Sequence, residues 1–176
     1  LDLIKEEIEK AKAGEETSIF LKMNSLTDRQ LIDALKEASQ AGVKIKMIIR
    51  GICCILPGIE GKTDNIEVIS VVGRFLEHSR IFCFGTGENM KMYIASADWM
   101  TRNTENRVEI AAPIYDQKIK NSIYDTLRIM WKDNLKARIL CSDGTYKKPE
   151  IKEGDELIDC QNYLRHEYKV GRKIKL

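Results

Sequence analysis

Two histidines occur in the 176-residue sequence, and one of them stands in phosphate-handling company. His78 lies in the stretch Gly73-Arg74-Phe75-Leu76-Glu77-His78-Ser79-Arg80-Ile81-Phe82, two residues before Arg80. An imidazole has the unperturbed pKa nearest neutrality, and an arginine fork matches phosphate oxygens bidentately. If Ser79 to Phe84 is a strand, its period of two sends the His78 and Arg80 side chains out from one face together. One group then attacks or carries a proton while the other holds an oxyanion, which suits phosphoryl transfer. A Ser96-x-Asp98 step on the next strand of the same hairpin supplies an orienter for the imidazole, and Arg50 at a strand end supplies a second phosphate clamp. Glu77 is the rival orienter, but as the chain neighbour of His78 in an extended segment it points away. The plainer reading of Arg50 and Arg80 is a pair of surface ion pairs, common in a chain this charged. His166 sits among Lys, Arg and Glu at helical spacing and reads as a solvated residue without a role.

These residues need a frame to hold them. Leu3, Ile4, Ile8 and Ala11 recur at helical spacing, and Gly14 follows, so residues 2–13 read as an amphipathic helix. Ser18–Met23 is β-like. Thr27-Asp28-Arg29-Gln30 has the form of a capping box opening a helix whose buried stripe is Leu31, Ile32, Leu35 and Ala38. Gly42 ends that helix, and Val43–Ile49 becomes a strand that turns continuously apolar, as expected of a strand covered on both faces. The result is a β-α-β unit with parallel strands and a right-handed crossover, with functional groups expected just beyond the strands' C-terminal ends. Lys22, Asn24 and Arg50 occupy those ends. The apolar loop over residues 51–61 is expected to pack over the site. Further strands are predicted at 66–72, 79–84, 91–95 and 107–112, with a hairpin tip at 85–89. A long amphipathic helix to about Asp133 follows, then loop with one more strand, a polar helix at 157–168, and a basic tail from Gly171 to Leu176.

The length suits one domain, and no apolar run reaches the ~20 residues needed to span a bilayer. A fraction of 43% hydrophobic and 32% charged residues belongs to a soluble globular class. A net charge of +2 gives no ground for a duplex nucleic-acid binder. Five cysteines without a CxxC pair read as reduced thiols of a cytoplasmic protein. The first residue is Leu1, and a helical pattern starting there is expected of a segment cut from a longer polypeptide.

Three phrases, Ile48-Ile49-Arg50-Gly51-Ile52-Cys53-Cys54, Phe75-Leu76-Glu77-His78-Ser79-Arg80-Ile81 and Ser96-Ala97-Asp98-Trp99-Met100-Thr101-Arg102-Asn103, closely resemble the last domain of bacterial polyphosphate kinases. The resemblance covers Leu1 to about Tyr146, leaving residues 147–176 as a tail with a polar helix. It implies a phospholipase-D-like α/β fold, a mixed sheet flanked by helices, and an enzyme that reversibly moves the terminal phosphate of ATP onto polyphosphate. In the wider superfamily the motif is His-x-Lys followed by Gly-Ser-x-Asn. Here Arg80 replaces the lysine and Ala95-Ser96-Ala97-Asp98 the second step, which argues against phosphodiester hydrolysis and agrees with the kinase branch.

By that resemblance His78 matches the second active-site histidine and Arg50 an ATP phosphate contact, while the phosphohistidine belongs to a preceding module. The chain would then hold half a site: His78 as proton donor or acceptor, Arg50 and Arg80 as phosphate ligands, and Asp98 as imidazole orienter. Alone it is expected to be inert. Implied partners are ATP or ADP, polyphosphate, the preceding domains of the same polypeptide and a homo-oligomer of the intact enzyme. Mg2+ is the implied metal, with ligands mainly outside this chain. The alternatives are a phosphodiesterase that pairs two copies of His78 in a homodimer, and a non-catalytic phosphate-binding module.

Overall fold

The structure is a computed structural model that describes residues 1–171, so most of the expected basic tail lies outside the described residues. Helix α1 (Asp2–Lys12) leads into strand β1 (Ser18–Met23), and α2 (Arg29–Gln40) carries the chain to β2 (Lys44–Ile49). β1 and β2 pair in parallel with Ser18 opposite Lys44 and Met23 opposite Ile49, which is the β-α-β unit read from the sequence. β3 (Ile66–Val71) adds a third parallel strand. β4 (Ile81–Phe84) then returns to the other side of β1, antiparallel to it, and β5 (Lys91–Ala95) continues the hairpin. After α3 (Thr101–Asn106) come β6 (Ala111–Ile114), α4 (Gln117–Trp131), β7 (Ala137–Leu140), the short β8 (Tyr146–Lys147) and α5 (Cys160–Lys169). Among the described residues the sheet has eight strands, in the order β6-β5-β4-β1-β2-β3-β7-β8.

Alternation along β1 explains the layering. Ile19, Leu21 and Met23 face one way, toward a core shared with Ile4, Ile8, Leu35, Ala38 and the matching positions of β2. Phe20 faces the other way, toward Leu127 and Met130 of α4 and Cys160 of α5. Its ring meets Tyr124 and Trp131 edge-on at 6.0 and 5.7 Å, the arrangement favoured by the ring quadrupoles. Both faces of the mixed sheet are therefore covered by helices. Among the described residues no helix is long and apolar enough to cross a membrane.

Several boundaries differ from the sequence expectations. The cap of α2 is Asp28 and not Thr27: its carboxylate accepts from the Leu31 N–H at 3.0 Å. Thr27 and Asp28 instead donate their N–H groups to the Trp99 carbonyl at 2.8 and 2.9 Å, tying the helix start to the segment around Asp98. The strand expected over 107–112 begins only at Ala111 and contains Pro113, tolerated because β6 is an edge strand. Arg107 and Glu109 therefore lie in the connection from α3 rather than on a strand face.

The segment after Tyr146 joins the same body. The boundary expected after Tyr146 falls inside β8, and Ile158 and Cys160 are buried in the core beneath α4. Buried Asp133, at the end of α4, fastens this region. One of its oxygens accepts from the N–H groups of Leu135, Lys136 and Ala137, the other from Cys160.

Candidate active site

Strand direction collects the chemistry at one edge of the sheet. β4 is antiparallel to β1 with Ile81 opposite Lys22, so the segment entering β4 arrives where β1 ends. β5 is antiparallel to β4 with Ile94 opposite Ile81, so it leaves toward Asp98 at the same edge. β2, parallel to β1, delivers Arg50 there as well. The expected strand start at Ser79 is not realised: residues 77–80 approach β4 as an irregular segment, and the ladder begins at Ile81. His78 and Arg80 nevertheless come together, with Arg80 Nη2 2.9 Å from His78 Nε2. A guanidinium can only donate, so His78 Nε2 accepts and the proton of the neutral ring sits on Nδ1.

Asp98 holds that guanidinium from behind. Its two oxygens accept from Arg80 Nε at 3.0 Å and Arg80 Nη2 at 3.2 Å, a fork-to-fork pairing. The same carboxylate accepts from the Asn24 backbone N–H at 2.8 Å and from its side-chain Nδ2 at 3.3 Å. Burial pushes the Asp98 carboxyl up, but the Arg80 hydrogen bonds and the N–H groups of Asn24 and Ser25 outweigh it and leave the pKa below the usual carboxylate range. Asn24 passes the connection on: its Oδ1 accepts from Arg50 Nε at 3.1 Å. Neither Nη nitrogen of Arg50 has a hydrogen-bond partner among the described residues, whereas Arg80 has Nε and Nη2 engaged by Asp98 and Nη1 on the His78 carbonyl at 3.3 Å. The close approach needed for this edge is made at Gly51, whose N–H donates to the Asn24 carbonyl at 2.7 Å. A Cβ there would stand 3.0 Å from that oxygen.

The sequence-predicted residues His78, Arg80, Asp98 and Arg50 thus share one network, but its order differs from the expectation. Asp98 touches Arg80 and Asn24, and reaches the imidazole only through the guanidinium. Glu77 points away from His78, as expected of its chain neighbour, and meets Lys22 instead. Lys22 is a residue whose importance periodicity does not display: it is 2% exposed, and its ammonium also donates to the Ser79 carbonyl at 2.8 Å. Gln161 of α5 is a second such residue. Its side-chain amide pairs both ways with the backbone of Phe75, at 2.8 Å each, so the C-terminal helix grips the segment that carries His78. Its one signal in the sequence is Gly73, where a Cβ would fall 2.4 Å from Gln161 Oε1. The loop over 51–61 is tied to Leu26, whose N–H donates to the Ile52 carbonyl and whose carbonyl accepts from the Cys54 N–H. His166 is exposed on α5.

A magnesium centre built from this chain's own side chains does not fit. Among the described residues no three His, Cys, Asp or Glu side chains converge, and the two carboxylates at the site are engaged by Arg80 and Lys22.

Comparison with known proteins agrees with this architecture. Residues 1–161 match the family described as polyphosphate kinase C-terminal domain 2. The polyphosphate kinase of Thermosynechococcus vestitus is 51% identical over 155 residues, which is 88% of this chain and 21% of that protein. That of Vibrio cholerae is 44% identical over 178 residues, 98% of this chain and 25% of that protein. The chain thus spans about a fifth to a quarter of the length of these relatives. The crystal structure of polyphosphate kinase from Porphyromonas gingivalis superimposes with a TM-score of 0.91 at 39% identity, covering 97% of this chain and 26% of that one. Nuc from Salmonella typhimurium, a phospholipase D family member, shares the fold at a TM-score of 0.52 and 16% identity, covering 81% of this chain and 89% of its own. The sheet order, the His78 edge and these matches together place the chain in the polyphosphate kinase C-terminal domain family, with a phospholipase-D-like fold.

Proposed function

We propose that this chain supplies one half of the active site of an ATP–polyphosphate phosphotransferase whose phosphohistidine resides in a preceding module. The observation that carries the reading is the unequal state of the two arginines: Arg50 offers two Nη nitrogens without a partner among the described residues, while Arg80 is largely occupied in holding His78. Arg50 is the principal ligand for a nucleotide or polyphosphate oxygen, and Arg80 adds charge through Nη1. His78 is exposed, with Nδ1–H placed to donate a hydrogen bond and Nε2 available to accept a proton once Arg80 yields it, a proton the resulting imidazolium can then return. In the reaction the γ-phosphoryl leaves ADP for the nucleophilic imidazole of the other module, and the terminal oxygen of polyphosphate then takes it. Positioning and electrostatics dominate such transfers, so a rim arginine and a fixed imidazole are fitting contributions. The orienting role of Asp98 is exercised through Arg80.

ATP and polyphosphate are the proposed substrates, Mg2+ is the metal of the intact enzyme with its ligands supplied by other parts of it and by the substrate phosphates, and the cytoplasm is the proposed compartment, in keeping with five free thiols. Titration of the isolated chain with ATP and short polyphosphate, with turnover followed in the same samples, tests the reading. Binding that weakens by about 10- to 100-fold in Arg50→Ala without turnover in either protein supports it, since a charge-assisted hydrogen bond is worth about 1.5–3 kcal/mol. Polyphosphate synthesis by the isolated chain would overturn the half-site and favour a homodimer that completes its own.

A further inference from the structure

A lysine inside a central strand is costly unless it has work to do, because an ammonium removed from water must recover its hydration from protein groups. Lys22 is such a residue. It lies on the α4 face of β1, one position before the strand ends, in the run Phe20-Leu21-Lys22-Met23 whose other members are all buried apolar side chains. Its ammonium emerges at the catalytic edge and meets two groups of the same short segment, the Glu77 carboxylate and the Ser79 carbonyl. These are the residues immediately before and after His78. Glu77 is committed to the arrangement from its own side as well, since its other oxygen accepts from the Ser79 N–H at 3.0 Å. The buried Oε2 has the Lys22 ammonium as its one charged partner among the described residues and no other donor.

We propose that Lys22 is a positioning residue for His78: its buried ammonium clamps the two residues that flank the imidazole, through the Glu77 carboxylate and the Ser79 carbonyl, and holds Nε2 against Arg80. The segment that carries His78 is otherwise irregular, and the residues Leu76, His78 and Ser79 are exposed, so ordinary packing does not fix it. Two ion pairs of opposite polarity do so. Glu77 with Lys22 sets one side, and Arg80 with Asp98 sets the other. Both anchoring partners, Lys22 and Asp98, rest on buried parts of the sheet edge, so the imidazole inherits its placement from the sheet. Burial lowers the Lys22 pKa and the Glu77 hydrogen bond and charge oppose that shift, as expected of an ammonium kept in place by a single carboxylate. Lys22 has no free face toward solvent and is no phosphate ligand.

The test uses the 176-residue chain and needs no activity. With only two histidines, nitrogen NMR resolves the His78 ring against exposed His166 as an internal reference. The wild type is expected to show the Nδ1–H tautomer at His78 and slowed amide exchange at residues 77–79. Glu77→Ala, which removes the outer half of the clamp and leaves the Lys22 ammonium without its carboxylate, is expected to return His78 to the tautomer mixture of His166 and to speed exchange at 77–79 by about tenfold or more. Lys22→Met combined with Glu77→Gln, which leaves no unpaired buried charge, is expected to do the same. An unchanged His78 ring in either variant would overturn the proposal.

A second readout rests on the kinase reading and uses the longer protein with its preceding module. There the double variant is expected to lower kcat by about 100-fold, the scale of a misplaced catalytic group, while KM for ATP stays within about twofold. A rise in KM matching that of Arg50→Ala would show Lys22 to be a phosphate ligand and overturn the positioning role. Loss of the kinase reading itself would leave the NMR result standing.

Discussion

Arg80 lies between His78 and Asp98, donating Nη2 to the imidazole Nε2 at 2.9 Å while the carboxylate grips its Nε and Nη2 at 3.0 and 3.2 Å. The guanidinium is therefore a splint between an exposed ring and a buried anion. Removing the anion removes the splint's anchor and leaves a half-buried cation without its partner. Asp98→Ala is expected to lower the unfolding free energy by about 3 kcal/mol, toward the lower end for a broken buried ion pair, read as a drop in the denaturation midpoint without a change in slope.

Acid should destabilise the domain through the carboxylates of the site. Asp98 and Glu77 are both held below their ordinary pKa values, Asp98 by Arg80 and backbone N–H groups, Glu77 by Lys22 and Ser79, in each case against the upward push of burial. The unfolded chain therefore binds protons at these groups before the folded chain does. Their contribution to stability is complete above the unfolded carboxylate range of about 4, and is lost as the pH falls through the depressed folded values. Stability measured by urea denaturation across this range should fall with acid in the wild type and fall less steeply in Asp98→Asn.

The grip of α5 on the His78 segment is open to a small perturbation. A Cβ at Gly73 would occupy the place of Gln161 Oε1, and because that atom ends a flexible side chain it can swing aside. Gly73→Ala is expected to shift global stability by no more than about 1 kcal/mol while accelerating amide exchange at Phe75, whose N–H loses its acceptor. Gln161→Ala should reproduce the exchange effect.

Substitution of Arg50 is expected to separate binding from folding. Its guanidinium makes one hydrogen bond, from Nε to Asn24, and its Nη nitrogens face no protein partner among the described residues. Arg50→Ala is expected to change the thermal midpoint by only a few degrees, corresponding to about 1 kcal/mol, even where calorimetric titration with polyphosphate shows affinity lost.

Much of this protein was legible in its sequence because local rules governed it. The β1-α2-β2 unit follows from two apolar strands, an amphipathic helix and Gly42, whose φ of +97° ends the helix in a conformation that L side chains rarely adopt. His78, Arg80, Asp98 and Arg50 were recognisable by residue type, by position at strand ends and by three motifs in order. What spacing could not decide was which of them touch. A short polar step such as Ser96-x-Asp98 admits several partners, and only the antiparallel return of β4 and β5 beside β1 gave Asp98 to Arg80 and Asn24 rather than to the ring. The strand pattern places Lys22 at a functional end of β1 but not its contacts, because burial of an ammonium depends on elements far along the chain, here Glu77 and Ser79. Gln161 joined the site from 86 residues beyond Phe75 for the same reason. Periodicity reports which face a side chain occupies; the contact it makes there is decided by whichever distant segment the completed sheet lays against it.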